Sequence, residues 1–282
     1  MKRSLLLIGL IAIGISSAAV GEVRPVCGDC GFGETIQSRF QPPEGWTRVT
    51  VPAQSFAAWL RQLELLPPTA DALDWRGRPA MTADEVAGVL DWRLLGSVEQ
   101  CADIAVRLIA EFAHGNGGQD LITFRSLSGQ AITWTKWLQG NYAIEGGASE
   151  IVYRQGPSRR ASPEELDAYL KFVMTYVNTA SLVRDWPRID FEEIDIGDVL
   201  IQPSRTVNGL GHLSVVLDAC TGPAGERLYL LTDGFTPARA PVVREKTPGD
   251  LTSVWMTPDE YLKLMSQFGP GAFHRPPAWT GD

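Results

Sequence analysis

The chain has 282 residues, 44% of them hydrophobic, with 25 Lys and Arg against 33 Asp and Glu for a formal net charge of −8. That apolar content can fill a core and excludes a disordered chain, and the length suits one large domain. The acidic balance, with no Lys/Arg stripe to reverse it locally, argues against a nucleic-acid partner.

In chain order, Lys2 and Arg3 precede an uncharged apolar run, Leu5 to Ile15, and then small residues, Ser16 to Gly21. This is the plan of a secretory signal, predicted over residues 1–21 with cleavage after Gly21. The run is shorter than the roughly 20 residues a spanning helix needs. The mature protein is therefore expected outside the cytoplasm, periplasmic or extracellular, and not spanning a membrane. Four cysteines, Cys27, Cys30, Cys101 and Cys220, allow three full pairings in an oxidising compartment. Cys27-Gly28-Asp29-Cys30 reads as a local disulfide loop, because a zinc site would need two more ligands at suitable spacing.

Residues 22–54 read as an irregular lead-in through Pro42-Pro43. Ser55 opens a short helix with Phe56, Trp59, Leu60 and Leu63 on one face, ended by Pro67-Pro68. Residues 69–93 carry no decisive pattern. Ser97-Val98-Glu99-Gln100 reads as a capping box for a helix with Cys101, Ile104, Leu108 and Phe112 at helical spacing, closed by His114-Gly115. Leu121 to Arg125 reads as a strand. A second capping box, Ser162-Pro163-Glu164-Glu165, starts a helix with a stripe of Leu166, Tyr169, Leu170, Val173 and Val177. Strands follow at Val199–Gln202, Leu213–Ala219, Leu228–Leu231 and Pro241–Arg244. Thr257-Pro258-Asp259-Glu260 caps a last helix with Tyr261, Leu264, Met265 and Phe268. Residues 269–282 read as an irregular tail. Helices first and an antiparallel sheet after them predict an α+β fold, with one domain over 55–268.

Chemistry is suggested by a cysteine at a helix start and a histidine at a distant strand. A free thiol has a pKa near 8.5 and needs help to ionise. The helix dipole contributes about 0.3–1 kcal/mol, and one pKa unit corresponds to about 1.36 kcal/mol. The helix alone therefore falls short, and Cys101 needs a basic partner. His114 lies at the far end of the same helix, roughly 20 Å away at 1.5 Å per residue, and His274 lies in the tail. His212 follows Gly209-Leu210-Gly211 and opens an apolar strand, which makes it the candidate. Asp233, ending the next strand, is the candidate to orient the imidazole, or else an exposed Asp-Gly turn residue. Gln100 is a candidate oxyanion donor, unless capping occupies its amide. Cys101 is either the nucleophile or the partner of Cys220 in a disulfide.

The acidic stretch Asp190, Glu192, Glu193, Asp195 and Asp198 lacks the spacing and central glycine of a calcium loop, and no metal or cofactor is expected. Trp134 and Trp137 read as core residues before sugar platforms. Gly115-Asn116-Gly117-Gly118 has no following Lys-Ser/Thr and is no phosphate loop.

Ile196-Gly197-Asp198-Val199-Leu200-Ile201 and Gly211-His212-Leu213-Ser214-Val215-Val216 resemble the Gly-Asp turn and histidine strand of the NlpC/P60-type papain-like thiol hydrolases. Much more of the chain resembles domain-of-unknown-function family 4846, a family of exported bacterial proteins. The matching pieces are Arg39-Phe40, Pro43-Glu44-Gly45-Trp46, Ser55 to Arg61, Gln100-Cys101-Ala102-Asp103, Arg107-Leu108, Thr179-Ala180-Ser181-Leu182 and the Gly197 to Asp218 region. The first resemblance implies a papain-like fold, with N-terminal helices packed on an antiparallel sheet. It also implies amide hydrolysis by Cys101 and His212, with peptidoglycan peptides as the substrate class. The family usually carries Gln at position 233 and Ala-Gln-Ser-Tyr where this chain has Thr232-Asp233-Gly234-Phe235. The separation of Cys101 from His212 exceeds that of NlpC/P60 domains and implies an insertion near residues 126–160. A non-catalytic envelope protein that binds or scaffolds is the alternative.

Overall fold

Helix starts follow side-chain caps: Ser55 accepts the N–H of Ala58, Ser162 that of Glu165 and Thr257 that of Glu260, each closing a backbone donor that the first turn leaves free. The computed structural model describes residues 33–145, 150–204 and 211–276. The predicted signal, Cys27, Cys30 and Gly209-Leu210 lie outside the described residues.

In chain order the elements are α1 (Ile36–Arg39), β1 (Thr47–Arg48), α2 (Phe56–Arg61), β2 (Ala72–Leu73), β3 (Pro79–Met81), β4 (Gly88–Val89), α3 (Cys101–Gly115), β5 (Thr123–Arg125), β6 (Ala131–Thr133), α4 (Trp134–Leu138), β7 (Asn141–Glu145), β8 (Val152–Gln155), α5 (Pro163–Tyr176), α6 (Thr179–Asp185), β9 (Arg188–Ile189), β10 (Val199–Gln202), β11 (His212–Thr221), β12 (Arg227–Asp233), β13 (Val242–Val243), α7 (Pro258–Leu264) and β14 (Ala272–His274). Eight strands form one antiparallel sheet in the order β4-β13-β12-β11-β10-β14-β9, with β1 also on β11. The fold is α+β, as expected.

β11 is the axis. Its edges are taken by β12, with Ser214 opposite Asp233, and by β10, with His212 opposite Gln202. Farther along, Arg48 of β1 lies opposite Cys220. Leu213, Val215 and Leu217 face the main core with Ile104, Leu108 and Trp59, whereas Val216 and Ala219 pack with Tyr229, Tyr261 and Met265 on the other face. A bulge between Val216 and Asp218 shifts the alternation, as an extra residue in one strand must. α3 is buried along its first ten residues, consistent with a run, Ile104 to Ala110, interrupted only by Arg107.

Several expectations are corrected. The lead-in is not irregular throughout: α1 is capped by Thr35, and β1 joins the sheet, where Arg48 forms a salt bridge with Asp218. Within the described part of the tail, 269–276, the chain is not irregular throughout, because Ala272–His274 adds β14 between β10 and β9. Its short run Ala272-Phe273-His274 gave no strand pattern alone; in the sheet Phe273 and His274 are buried. Residues 69–93 hold β2, β3 and β4. In the 126–160 region, Trp134 is buried and Trp137 donates its indole N–H to Glu165 at 2.7 Å, so both serve packing.

Candidate active site

Glu99 sets the start of α3. It turns inward, 1% exposed, and accepts from the Trp92 indole at 2.8 Å, the Leu95 N–H at 2.6 Å and Arg107 Nη1 at 2.8 Å. Arg107 also bonds Glu111 at 2.7 Å and lies over the Trp92 ring. This buried network holds Ser97 to Glu99 outside the helix, so the predicted Ser97 capping box is not the one used. Gln100 is the N-cap, its N–H donating to the Asp103 carboxylate at 2.8 Å, and Cys101 is the first helical residue.

Cys101 Sγ lies 3.5 Å from the Gly211 carbonyl oxygen. The N–H groups of Leu213 and Ala102 also reach the sulfur and favour its thiolate. The sulfur is thus bracketed by backbone on both sides of His212. Two glycines permit this approach. A Cβ on Gly211 would fall 2.3 Å from Thr179 Oγ1, and one on Gly234 would fall 2.2 Å from Ile104 Cδ1 and 3.3 Å from Cys101 Cα. The disulfide alternative fails on length: Cys220 is eight residues beyond His212 on β11, roughly 26 Å at 3.3 Å per residue, whereas a disulfide needs Cα atoms within about 7 Å. Both thiols are free.

The His212 ring is stacked on Phe268, centroids 3.8 Å apart and planes within 6°. Its Nε2 stands 3.3 Å from Asp233 Oδ2, an ion-pair distance without the alignment of a hydrogen bond; catalytic contacts are often this loose without substrate. Asp233 is 1% exposed, not an exposed turn residue. Arg244 Nε reaches its Oδ1 at 3.0 Å, and Arg239 Nη2 its Oδ2 at 3.3 Å. Burial alone would raise the Asp233 carboxyl, but His212, Arg244 and Arg239 outweigh it and hold the pKa below its ordinary value. Burial, then the charge of Asp103, pushes the Cys101 thiol up to about 11. At rest the sulfur is a neutral thiol.

Gln100 keeps its side chain out of the cap: its Oε1 accepts from the Thr236 hydroxyl at 3.0 Å. Cys101, His212, Asp233 and Gln100, separated by up to 133 positions, therefore lie at one end of β11 and β12, the imidazole against Asp233 and the sulfur against the backbone on either side of His212. The other two histidines do not join them. His114 meets Trp134 edge-on, and His274 Nδ1 is 2.8 Å from the Trp186 carbonyl oxygen. Asp198 of the Gly-Asp turn is paired with Arg275 at 2.8 Å. Arg239, Arg244, Phe268 and Thr179 escaped sequence reading. The Thr-Ala-Ser-Leu segment was a signal for Thr179, but nothing in pattern or spacing pointed to the arginines.

The family model described as a domain of unknown function (4846) matches residues 36–267. Neither a curated protein nor a solved structure matches the chain.

Proposed function

We propose that this chain, which belongs to domain-of-unknown-function family 4846, is an exported thiol hydrolase of papain-like type acting on amide bonds. The observation that carries the reading is the sulfur at the head of α3, seated against the backbone flanking His212, while the Nε2 of that imidazole faces a buried carboxylate. Proton transfer in such a site runs from thiol to imidazole as substrate arrives, since the thiol is neutral at rest. The sulfur bonds the carbonyl carbon, and the oxygen takes the negative charge beside the Gln100 amide and the first N–H groups of α3. Collapse breaks the C–N bond, and His212 returns the proton to the departing amine. Water, giving a proton to His212, then attacks the thioester and releases the acid and the thiol. Peptidoglycan peptides as substrate rest on the NlpC/P60 resemblance and the predicted export signal.

Cys101→Ala should abolish cleavage of cell-wall peptide amides, by about three orders of magnitude or more, while circular dichroism and melting stay near wild type. Turnover retained in that variant ends the reading. The second reading, an envelope protein that binds or scaffolds without catalysis, draws on burial: Cys101 is 5% exposed and His212 1%. It predicts that a peptide electrophile labels neither residue in the folded protein.

A further inference from the structure

Arg239 sits almost wholly inside the protein, 2% exposed, and three of its four hydrogen bonds fall on one turn. Nη2 donates to Asp233 Oδ2 at 3.3 Å and to the Gly234 carbonyl at 3.4 Å. Nη1 donates to the carbonyls of Asp233 at 3.4 Å and Ala240 at 3.0 Å. The guanidinium also lies over Phe235, 5.4 Å from its centroid. Gly234, in the middle of that turn, is the residue packed against Cys101 Cα and Ile104. The arginine therefore ties the carboxylate facing His212 to the backbone on which the Cys101 helix start rests.

Two guanidinium groups share the one buried carboxylate of Asp233: Arg244 Nε and Nη2 already take both its oxygens at 3.0 and 3.2 Å. Arg239 is a second cation on the same carboxylate, and a guanidinium stays charged at every relevant pH. The other groups facing this end are Asp103 of α3, whose carboxyl burial pushes well above the ordinary range, His212, the buried hydroxyl of Tyr261, and the exposed Glu85 beside Arg244. A buried cation in excess calls for an anion nearby. Burial lowers the Arg239 pKa; Asp233 acts to raise it and Arg244 to lower it, with Tyr261 and Cys101 the smallest influences, so the link from this cation to the sulfur runs through Gly234, which packs against Cys101 Cα.

We propose that Arg239 is a positioning residue for Cys101: it braces the Asp233–Gly234 turn against the helix start and supplies the unmatched positive charge that a Cys101 thiolate answers. The inference rests on the thiol-hydrolase reading, but its test needs no substrate. Iodoacetamide alkylation of Cys101 in the native full-length chain is followed from pH 7 to 10 by peptide mass spectrometry, with Cys220 in the same digest as control. Arg239→Met should slow Cys101 alkylation about tenfold at each pH, the effect of a one-unit rise in thiol pKa. Arg239→Lys, which keeps the charge, should stay within about threefold of wild type on the same scale, and Cys220 should not change. A folded Arg239→Met chain with the wild-type profile overturns the proposal, as does an Arg239→Lys chain that loses as much as Arg239→Met. If neither variant folds, Arg239 belongs to the folding core and the proposal falls. A chain inert towards amides whose Cys101 still obeys Arg239 rejects the hydrolase reading and keeps this one; active protein with an unchanged Arg239→Met profile does the reverse.

Discussion

The two ends of β11 carry nearly the same parts. At one end the buried Asp233 meets Arg239 and Arg244 beside Cys101. At the other the buried Asp218 meets Arg61 at 2.7 Å, and Arg48, beside Cys220. Both thiols are raised to about 11, with burial the largest cause. A buried thiol beside an aspartate with two arginines is thus not a chemical signature by itself; at the Asp218 end it fastens β1 and α2 onto the sheet. What the Cys101 end adds is His212 within ion-pair distance of its aspartate and a sulfur at a helix start. Cys220 sits inside a strand, opposite Leu228 and Arg48, and the three histidines lie elsewhere. The proposed function therefore rests on the differences, the imidazole and the helix start.

The largest test sets the two sulfurs against each other. Cys220→Ala should keep hydrolysis near wild type, whereas Cys101→Ala removes it; equal losses would make the two ends equivalent. Next in size, Asp218→Ala strands Arg48 and Arg61 without their carboxylate and should cost about 3–5 kcal/mol in urea unfolding, as removing one member of a buried ion pair does. Asp233→Asn should cost most of the activity, because the amide keeps one acceptor where the arginines use two oxygens and loses the charge that steadies a protonated His212. A third test concerns the shared property. Raising a thiol from 9.0 to about 11 makes its thiolate about a hundredfold scarcer at pH 8. Both native cysteines should therefore alkylate about a hundredfold more slowly than in the urea-unfolded chain. A peptide electrophile should break that parity by labelling Cys101 alone.

Local signals were legible. Ser162-Pro163 and Thr257-Pro258 start α5 and α7 where their capping chemistry said, and Val199–Gln202 has the predicted bounds because an apolar run meets turn residues at both ends. The placement of Cys101 at the head of a helix and of His212 at the start of a strand was also legible. What failed depends on partners far along the chain. Ser97 looked like a cap until Arg107 drew Glu99 inward. Of the two readings open for Asp233, the exposed turn does not hold, and Gly234 is needed because Ile104 occupies the space of a Cβ. β1 and β14 are too short to show a period, and exist because β11 and β10 offer them an edge.

The smallest predicted effect separates two aspartates that pull in opposite directions at the Cys101 end. Asp233, with a lowered pKa, contributes stability above the ordinary aspartate range that is lost as pH falls through its folded value. Asp103 is 4% exposed, with one oxygen bonded to the Gln100 N–H and the other lacking a hydrogen-bond partner among the described residues. Burial, with Glu99 adding to it, raises its carboxyl well above the ordinary value. The sign is therefore reversed: its contribution is complete below the unfolded pKa near 3.8 and is lost as pH rises through the folded value. Asp103→Asn keeps an acceptor for the Gln100 N–H and removes the titration. Its unfolding free energy should equal wild type near pH 3 and exceed it at pH 8, where wild type must ionise a buried acid or hold its proton. A variant that is less stable than wild type at pH 8 would mean that Asp103 is ionised and paired, and the two ends of β11 would then differ by a carboxylate as well as an imidazole.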